Sequence, residues 1–170
     1  NLNAVFHCCK AVIRSMCAAR RGVIINIGSG SGISPRPGQV NYSSSKAGLI
    51  GLSRSLGREV AGKGVRVLVV APGFTETEMS GMVSAKAMEY SLSMIPLGRW
   101  GGPEELASVV AYMASDDAAC IVGQTIIVDH VGGHLGVGQY AGRQAETLPI
   151  WKKNMQDLAG CANVVVKLGG

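Results

Sequence analysis

Short apolar runs alternate along this chain with longer segments whose apolar residues recur every three or four positions. Three runs are rich in β-branched residues and are bounded by glycine, proline or aspartate: GVIINIG (22–28), GVRVLVVAPG (64–73) and GQTIIVD (123–129). This composition predicts buried strands. Because apolar strands separated by helices form parallel sheets covered on both faces, the pattern predicts a layered α/β domain.

Four other segments have helical spacing: residues 1–20, 40–61, 75–94 and 102–117. The third is expected to form one or two short helices, and the last begins at Pro103, a residue typical of helix starts. The inward face of the last helix is predicted to consist of Leu106, Val109, Val110 and Met113. The first helix is predicted to have one broad apolar face: Leu2, Val5, Phe6, Cys9, Val12, Ile13 and Met16.

Composition narrows the class of protein. With 170 residues, of which 47% are hydrophobic, the chain can fill one core, because a domain of about 150 residues buries roughly 70% of its unfolded surface. The net charge of +5 is dispersed, which favours a solvated surface over a nucleic-acid groove. No apolar run reaches the ~18 residues of a membrane span and no signal peptide is present. We therefore expect a soluble protein of the cytoplasm or of an organellar lumen.

The cysteines and histidines do not follow a metal-binding pattern. None of the five cysteines belongs to a CxxC pair, so we expect reduced intracellular thiols. His130 and His134 are four residues apart, but Gly132 and Gly133 lie between them and disfavour a helix that presents both to one ion. The sequence therefore predicts no metal site.

The segment NYSSSK places a phenol and an ammonium four residues apart within the second predicted helix. Residues at this spacing share a helix face, so Lys46 can lie beside Tyr42. A nearby cation stabilises a phenolate, and a tyrosine that releases its proton more readily can act in acid–base catalysis. Ligands of parallel sheets bind at the carboxyl ends of the strands, where Ser29 and Pro72-Gly73 are expected. The alternative is an ordinary amphipathic helix.

Several motifs in a fixed order resemble the classical short-chain dehydrogenase/reductase family. They are Ser29, Tyr42-x-x-x-Lys46, Pro72-Gly73 and PLGRWGGPEEL (96–106), and Asn1 stands where the family has a helix asparagine. The resemblance covers residues 1–133 and implies the C-terminal portion of a Rossmann-type doubly wound parallel sheet. Within the family, VVAPGFTETEM and the segment around NYSSSK are most similar to 3-oxoacyl-(acyl-carrier-protein) reductases.

The resemblance implies an oxidoreductase that uses NADP or NAD to reduce a carbonyl to an alcohol, or catalyses the reverse. Tyr42 would donate the proton, Ser29 would hydrogen-bond the carbonyl oxygen, and Lys46 would acidify the phenol and hold the nicotinamide ribose. Asn1 would hold a water that returns the proton through Lys46. The implied cofactor-binding residues are Tyr42, Lys46, Pro72, Gly73, Phe74, Thr75 and Thr77, the last of them toward the pyrophosphate.

The implied substrate is a small carbonyl compound or alcohol, with a 3-oxoacyl thioester on an acyl carrier protein as the first choice. A steroid, a sugar or another secondary alcohol stays open. Arg20, Arg21 and Lys63 near the helix ends are candidates for meeting an acidic carrier protein, although exposed basic residues at helix ends are common. The resemblance also implies a homo-oligomer in which the first two helices pair with another copy.

Parts of the family pattern are absent from the sequence. There is no T-G-x-x-x-G-x-G loop and no N-N-A-G segment, and Asn1 already lies in a helical pattern. We therefore expect a fragment whose N-terminal nucleotide-binding half is missing and whose first strand exposes an unpaired edge. In the family that half carries the residues that contact the adenosine ribose and decide between NADH and NADPH.

Three further departures keep alternatives open. Leu68 replaces an asparagine that is common in relatives, and VDHVGG is two residues longer than the usual V-D-G-G. Residues 134–170 lie beyond the resemblance and form a C-terminal extension of unknown structure. The alternative to an enzyme is therefore a truncated, non-catalytic subunit or an interaction fragment of one.

Overall fold

A computed structural model describes residues 1–128, except for the side-chain surroundings of Met79 and Gly81. The helices and strands are, in chain order, α1 (Leu2–Ala19), β1 (Gly22–Ile27), α2 (Val40–Val60), β2 (Val65–Pro72), α3 (Ala85–Ser93), α4 (Pro103–Ala114) and β3 (Thr125–Val128). The strand and helix predictions for these residues are confirmed. His130, His134 and the predicted extension 134–170 lie outside the described residues.

The described residues form two compact units. The first consists of residues 1–73 and 104–128, and the second contains residues 74–103. The sheet, α1, α2 and nearly all of α4 belong to the first unit, whereas α3 belongs to the second.

The sheet of the first unit is parallel and has the order β1-β2-β3. Its central strand β2 is the most apolar one, and Val67, Leu68 and Val70 within it are completely buried. Successive side chains of a strand point to opposite faces, so β2 supplies both faces of the sheet. Within residues 1–128, β1 pairs with β2 alone.

Helices cover both faces, as the apolar strands predict. On one face Val65 and Val67 pack with residues of α1 and α2: Ile13, Met16, Cys17, Leu56 and Val60. On the other face Leu68 and Val70 pack with residues of α4 and of the segment that follows it: Leu106, Val109, Val110, Met113, Ala118 and Ile121. The inward face predicted for α4 is therefore confirmed, and a layered α/β architecture results.

Leu68 has a structural explanation. Its side chain is completely buried in the core cluster with Val70, Met113 and Ala118. An asparagine side chain in this position would need hydrogen-bond partners among apolar neighbours. The leucine instead adds apolar area to the interface between β2 and α4.

The carboxyl end of α4 is held by a side chain of the central strand. The Arg66 guanidinium donates hydrogen bonds to the carbonyl oxygens of Met113 (2.8 Å), Ser115 (2.7 Å) and Ala118 (3.0 Å). The last carbonyls of a helix lack partners within the helix, and a cation there also interacts favourably with the helix dipole. Arg66 thus fixes the end of α4 against the sheet.

Only part of the predicted apolar face of α1 is buried in the first unit. Cys9 is buried and Ile13 and Met16 pack on the core, but Phe6 and Val12 are 49% and 38% exposed. Two members of the predicted face thus lie on the surface of the described chain.

Neither a membrane helix nor a metal cluster occurs within residues 1–128. No helix in this range combines the length and apolar character that crossing a membrane requires. No three His, Cys, Asp or Glu side chains in this range are grouped as they would be around a metal ion.

Candidate active site

The first two strands end at the same edge of the sheet. Ile27 lies opposite Val70 in the register, and Gly28 continues the pairing by donating a 2.7 Å hydrogen bond to the Val70 carbonyl. Two residues beyond this pair, Ser29 follows the end of β1 and Pro72 is the last residue of β2. Ligands of parallel α/β sheets bind at such carboxyl ends, so this edge is the candidate site.

Ser29 begins a tight turn directly after β1. Its backbone is extended, and its hydroxyl accepts a 3.2 Å hydrogen bond from the backbone N–H of Ser31. This bond caps the short 3-10 turn Gly30–Gly32 and fixes the position of the hydroxyl. The hydroxyl proton stays available for a bond to a ligand, because in this contact the oxygen acts as the acceptor.

The turn that follows Ser29 packs directly on the backbone of α2. A Cβ atom at Gly32 would lie 2.9 Å from the carbonyl carbon of Lys46 and 3.0 Å from the backbone nitrogen of Ala47. Only glycine permits this approach, since the neighbouring atoms are backbone and cannot rotate away. Gly32 thus brings the Ser29 turn to the part of α2 that carries Lys46.

Tyr42 and Lys46 lie on the same side of α2, as their spacing predicts. The Lys46 ammonium is 5.8 Å from the centroid of the Tyr42 ring. It also donates a 2.8 Å hydrogen bond to the carbonyl oxygen of Ile27, the last residue of β1. Tyr42 is 37% exposed, so its ring is accessible from solvent. The phenol and the ammonium are therefore brought together at the edge where β1 ends.

Asn1 stands before the first residue of α1 and is exposed. Its side chain makes no capping hydrogen bond to α1. The next residue, Leu2, packs against α2 at Gly48, where a Cβ atom would lie only 2.9 Å from Leu2 Cδ2. The start of α1 therefore lies beside α2 two residues after Lys46, while the role of Asn1 stays a prediction.

Pro72 and Gly73 lie at the end of β2, as predicted. Pro72 lies opposite Val128 of β3, and the Gly73 N–H donates a 2.8 Å hydrogen bond to the Val128 carbonyl. The central strand is therefore paired up to its last residue. This pairing fixes where the chain leaves the sheet.

Phe74, Thr75 and Thr77 belong to the second unit and are described within it. Thr75 forms an isolated parallel bridge with Gly101, and the Phe74 carbonyl accepts a 3.0 Å hydrogen bond from the Gly101 N–H. The backbone N–H of Thr77 donates a 2.9 Å bond to the Ser80 hydroxyl at the start of a 3-10 turn. Backbone bonds thus hold this segment in a defined conformation.

The sequence did not predict a partly buried polar contact of Asn26, which directly precedes Ile27 in β1. The Asn26 amide of β1 donates a 2.9 Å hydrogen bond to the Ser53 hydroxyl of α2 and lies 3.8 Å from Cys9 Sγ of α1. Ser53 in turn donates to the Leu49 carbonyl at 2.8 Å. An asparagine inside an apolar strand was the available signal, since an amide that is largely removed from water requires partners. This contact joins β1 to both covering helices one residue before Ile27.

The arrangement suits proton transfer. A hydroxyl on a fixed turn, an accessible phenol and an ammonium at one sheet edge can orient a polar group and exchange a proton with it. The ammonium has three N–H donors, of which the bond to Ile27 uses one. The other two can bind a phenol or a ligand hydroxyl.

Comparison with known proteins gives matches over the same part of the chain. A family model described as enoyl-(acyl carrier protein) reductase matches residues 1–133. The 3-oxoacyl-(acyl-carrier-protein) reductase FabG of Escherichia coli (strain K12) is 50% identical over 133 residues, which are 78% of this chain and 53% of that protein. The protein of the same name from Thermotoga maritima is 46% identical over 129 residues, or 76% of this chain and 52% of that protein.

A third relative of the same name, from Haemophilus influenzae, is 47% identical over 135 residues, which are 79% of this chain and 54% of that protein. The chain thus spans about half the length of the curated relatives it matches. The matched segment includes both compact units of the described chain.

Proposed function

Since the chain belongs to the short-chain dehydrogenase/reductase family, we propose that it carries the proton-transfer site of an NADP- or NAD-dependent carbonyl reductase. The observation that carries this proposal is the position of the Lys46 ammonium, 5.8 Å from the Tyr42 ring centroid and hydrogen-bonded to the end of β1. The pair lies at the carboxyl edge of a parallel sheet, where the ligands of such sheets bind.

Each residue has a proposed role in the reduction of a carbonyl group. Tyr42 donates a proton to the carbonyl oxygen, and the Ser29 hydroxyl donates a hydrogen bond to the same oxygen as negative charge develops on it. Lys46 holds its ammonium beside the Tyr42 ring and offers its remaining N–H donors to the nicotinamide ribose. Asn1 holds a water that restores the proton through Lys46.

The described residues fit one end of a nicotinamide dinucleotide. The free donors of Lys46 can bind ribose hydroxyls, and Gly73 at the end of β2 has no side chain to obstruct a ring. Phe74, Thr75 and Thr77 are proposed to contact the nicotinamide amide and the pyrophosphate. When bound, the cofactor would supply or accept the hydride.

The sequence lacks the motif that binds the phosphates next to the adenosine end of the cofactor. The glycine-rich loop that binds dinucleotide phosphates is absent from the 170 residues. We therefore propose that tight cofactor binding requires residues that the 170-residue chain does not contain. The second candidate function is that of a non-catalytic subunit. The missing glycine-rich loop favours it if the chain acts without residues that supply this loop.

The proposed substrate is a 3-oxoacyl thioester, because the matching relatives are named for that activity. A steroid ketone or a keto sugar is the alternative. The test is NADPH and NADH oxidation by the natural protein that contains these residues, with a 3-oxoacyl thioester, a steroid ketone and a keto sugar as substrates. Turnover of the thioester, with no turnover of the steroid ketone or the keto sugar, supports the proposal. Turnover of none of the three substrates contradicts it.

An acyl carrier protein is the proposed substrate carrier. The Arg20 guanidinium donates a 3.1 Å hydrogen bond to the Gly62 carbonyl, which brings the end of α1 beside the turn that contains Lys63. Arg20, Arg21 and Lys63 are exposed. Together they form a basic surface that suits an acidic partner.

We also propose that α1 and α2 pair with a second copy of the chain. The exposed Phe6 and Val12 on α1 support this proposal, as does Val40 at the start of α2, which is 80% exposed. Exposed apolar side chains on neighbouring helices are typical of interaction surfaces when they form one patch.

A further inference from the structure

Trp100 is a buried residue of the second unit. It is 3% exposed, and its ring stacks on Phe74 with a centroid distance of 5.5 Å and an angle of 15° between the ring planes. Phe74 is the first residue of the unit and begins the segment to which we assign the cofactor contact. The stack therefore joins the two ends of residues 74–103.

The indole nitrogen of Trp100 reaches a different element. It donates a 2.9 Å hydrogen bond to the Ser91 hydroxyl of α3, and both side chains are buried. The Ser91 hydroxyl in turn donates a 2.7 Å bond to the Met88 carbonyl within the same helix. One side chain thus contacts Phe74 with its ring face and α3 with its polar edge.

Backbone bonds reinforce the first of these contacts. The Gly101 N–H donates to the Phe74 carbonyl at 3.0 Å, and the Glu76 N–H donates to the Gly101 carbonyl at 2.9 Å. Residues 100 and 101 are therefore fixed to the segment Phe74–Thr77. The Trp100–Ser91 bond extends this connection to α3.

We propose that Trp100 is a positioning residue that couples the segment Phe74–Thr77 to α3. The inference rests on the proposed function, which assigns the segment Phe74–Thr77 to the cofactor. It adds that α3, which follows this segment in the second unit, covers the substrate. The physical reason is that α3 has nine residues, and helices shorter than about 12 residues are marginal in water without packing. The order of α3 then depends on its buried bond to Trp100.

The coupling has a functional consequence. Ligand contacts that order Phe74–Thr77 also order Trp100, and through Ser91 they order α3. Cofactor binding would thereby prepare the segment that covers the substrate. An uncoupled α3 would weaken substrate binding and leave cofactor binding intact.

Hydrogen exchange of the ligand-free 170-residue chain tests the coupling directly. Ser91→Ala removes the acceptor, and we expect about fivefold faster exchange both in α3 and at Glu76 N–H, the factor for one lost hydrogen bond. Ser93→Ala is the matched control, because Ser93 lies on the same helix, is exposed and makes the same type of bond, to Tyr90. This control should not change exchange at Glu76.

Trp100→Phe provides a second, milder variant, since it keeps a ring for stacking and removes the N–H donor. It should reproduce the pattern of Ser91→Ala, while the amides of β2 keep their exchange rates in both variants. Acceleration confined to α3 would overturn the proposal. Equal acceleration in β2 for both variants would overturn it as well, because Trp100 would then serve general stability.

Kinetics of the natural protein that contains these residues separate this proposal from the proposed function. We expect Ser91→Ala to raise the KM for a 3-oxoacyl thioester about fivefold and to leave the dissociation constant of NADPH unchanged. Equal changes in both constants would contradict the coupling. Absence of NADPH binding in the unsubstituted protein would contradict the proposed function, and the exchange result would still decide the coupling.

Discussion

The Lys46 ammonium donates a 2.8 Å hydrogen bond to the carbonyl oxygen of Ile27, the last residue of β1. This bond connects α2 to the edge of the sheet and holds the cation 5.8 Å from the centroid of the Tyr42 ring. The position of the proposed catalytic pair therefore depends on the contact between a strand and a helix that are distant in sequence. Changes that separate β1 from α2 should affect activity even when Tyr42 and Lys46 are intact.

Gly32→Ala is expected to lower kcat in the natural protein that contains these residues. The added Cβ would lie 2.9 Å from the backbone of Lys46, so the Ser29 turn must move away from α2. A displacement of about 1 Å at an active site can cost on the order of 10²-fold in rate. Steady-state kinetics with saturating cofactor measure this effect.

The control for this change is Gly51→Ala on α2, the helix against which Gly32 packs. A Cβ at Gly51 meets no atom within 4 Å, and replacement of a helical glycine by alanine adds about 0.5–1 kcal/mol of stability. We expect unchanged kcat and a higher Tm for this variant. A Gly32→Ala protein with the kinetics of Gly51→Ala would refute the role of the close approach.

The sequence was sufficient to predict the elements because each has a local signature. The apolar run of β2 predicts a strand buried on both faces, and the spacing of Tyr42 and Lys46 by itself puts both on one side of α2. The predictions of strands, helices and parallel topology needed no long-range information.

The contacts that position the site could not be predicted in this way. The bonds from Lys46 to Ile27, from Asn26 to Ser53 and from Trp100 to Ser91 join residues separated by 19, 27 and 9 positions. Each depends on the packing of two elements, and polar side chains have many possible partners. Leu68 is a further residue that the structure explains and the sequence does not. Its burial against α4 accounts for the departure from the family pattern at this position.

The isolated 170-residue chain is expected to bind NADPH with a dissociation constant above about 1 mM. The glycine-rich loop for the phosphates is absent from its sequence, so the cofactor would be held mainly at its nicotinamide end. Isothermal titration calorimetry, with circular dichroism as a check of folding, measures this. Micromolar binding would show that these 170 residues suffice.

Phe6→Asp is expected to convert an oligomer of the chain to a smaller species. Phe6 is 49% exposed on α1, and a carboxylate at an apolar contact between copies would be desolvated at high cost. Sedimentation velocity at micromolar concentration measures the change. Tyr90→Asp, which alters another exposed aromatic residue outside α1 and α2, is the control, and equal dissociation of both variants would argue against the assigned helices.

Charge reversal of the basic surface tests docking of a carrier protein. Arg20→Glu combined with Lys63→Glu should lower kcat/KM for a carrier-bound thioester by about tenfold or more, because like charges then meet an acidic partner. Activity toward a free thioester should persist. Lys10→Glu, a single charge reversal on α1 away from this surface, should affect neither substrate. Equal losses for both substrates in the double variant would reject docking.

The central claim is that Tyr42 donates the proton to the substrate carbonyl, and Tyr42→Phe tests it most directly. In the natural protein that contains these residues, kcat for reduction of a 3-oxoacyl thioester should fall by about 10²–10⁴-fold, the usual contribution of a general acid. The Tm should stay close to that of the Tyr112→Phe control, which alters an exposed tyrosine of α4. A Tyr42→Phe protein that retains the kcat of this control would contradict the account.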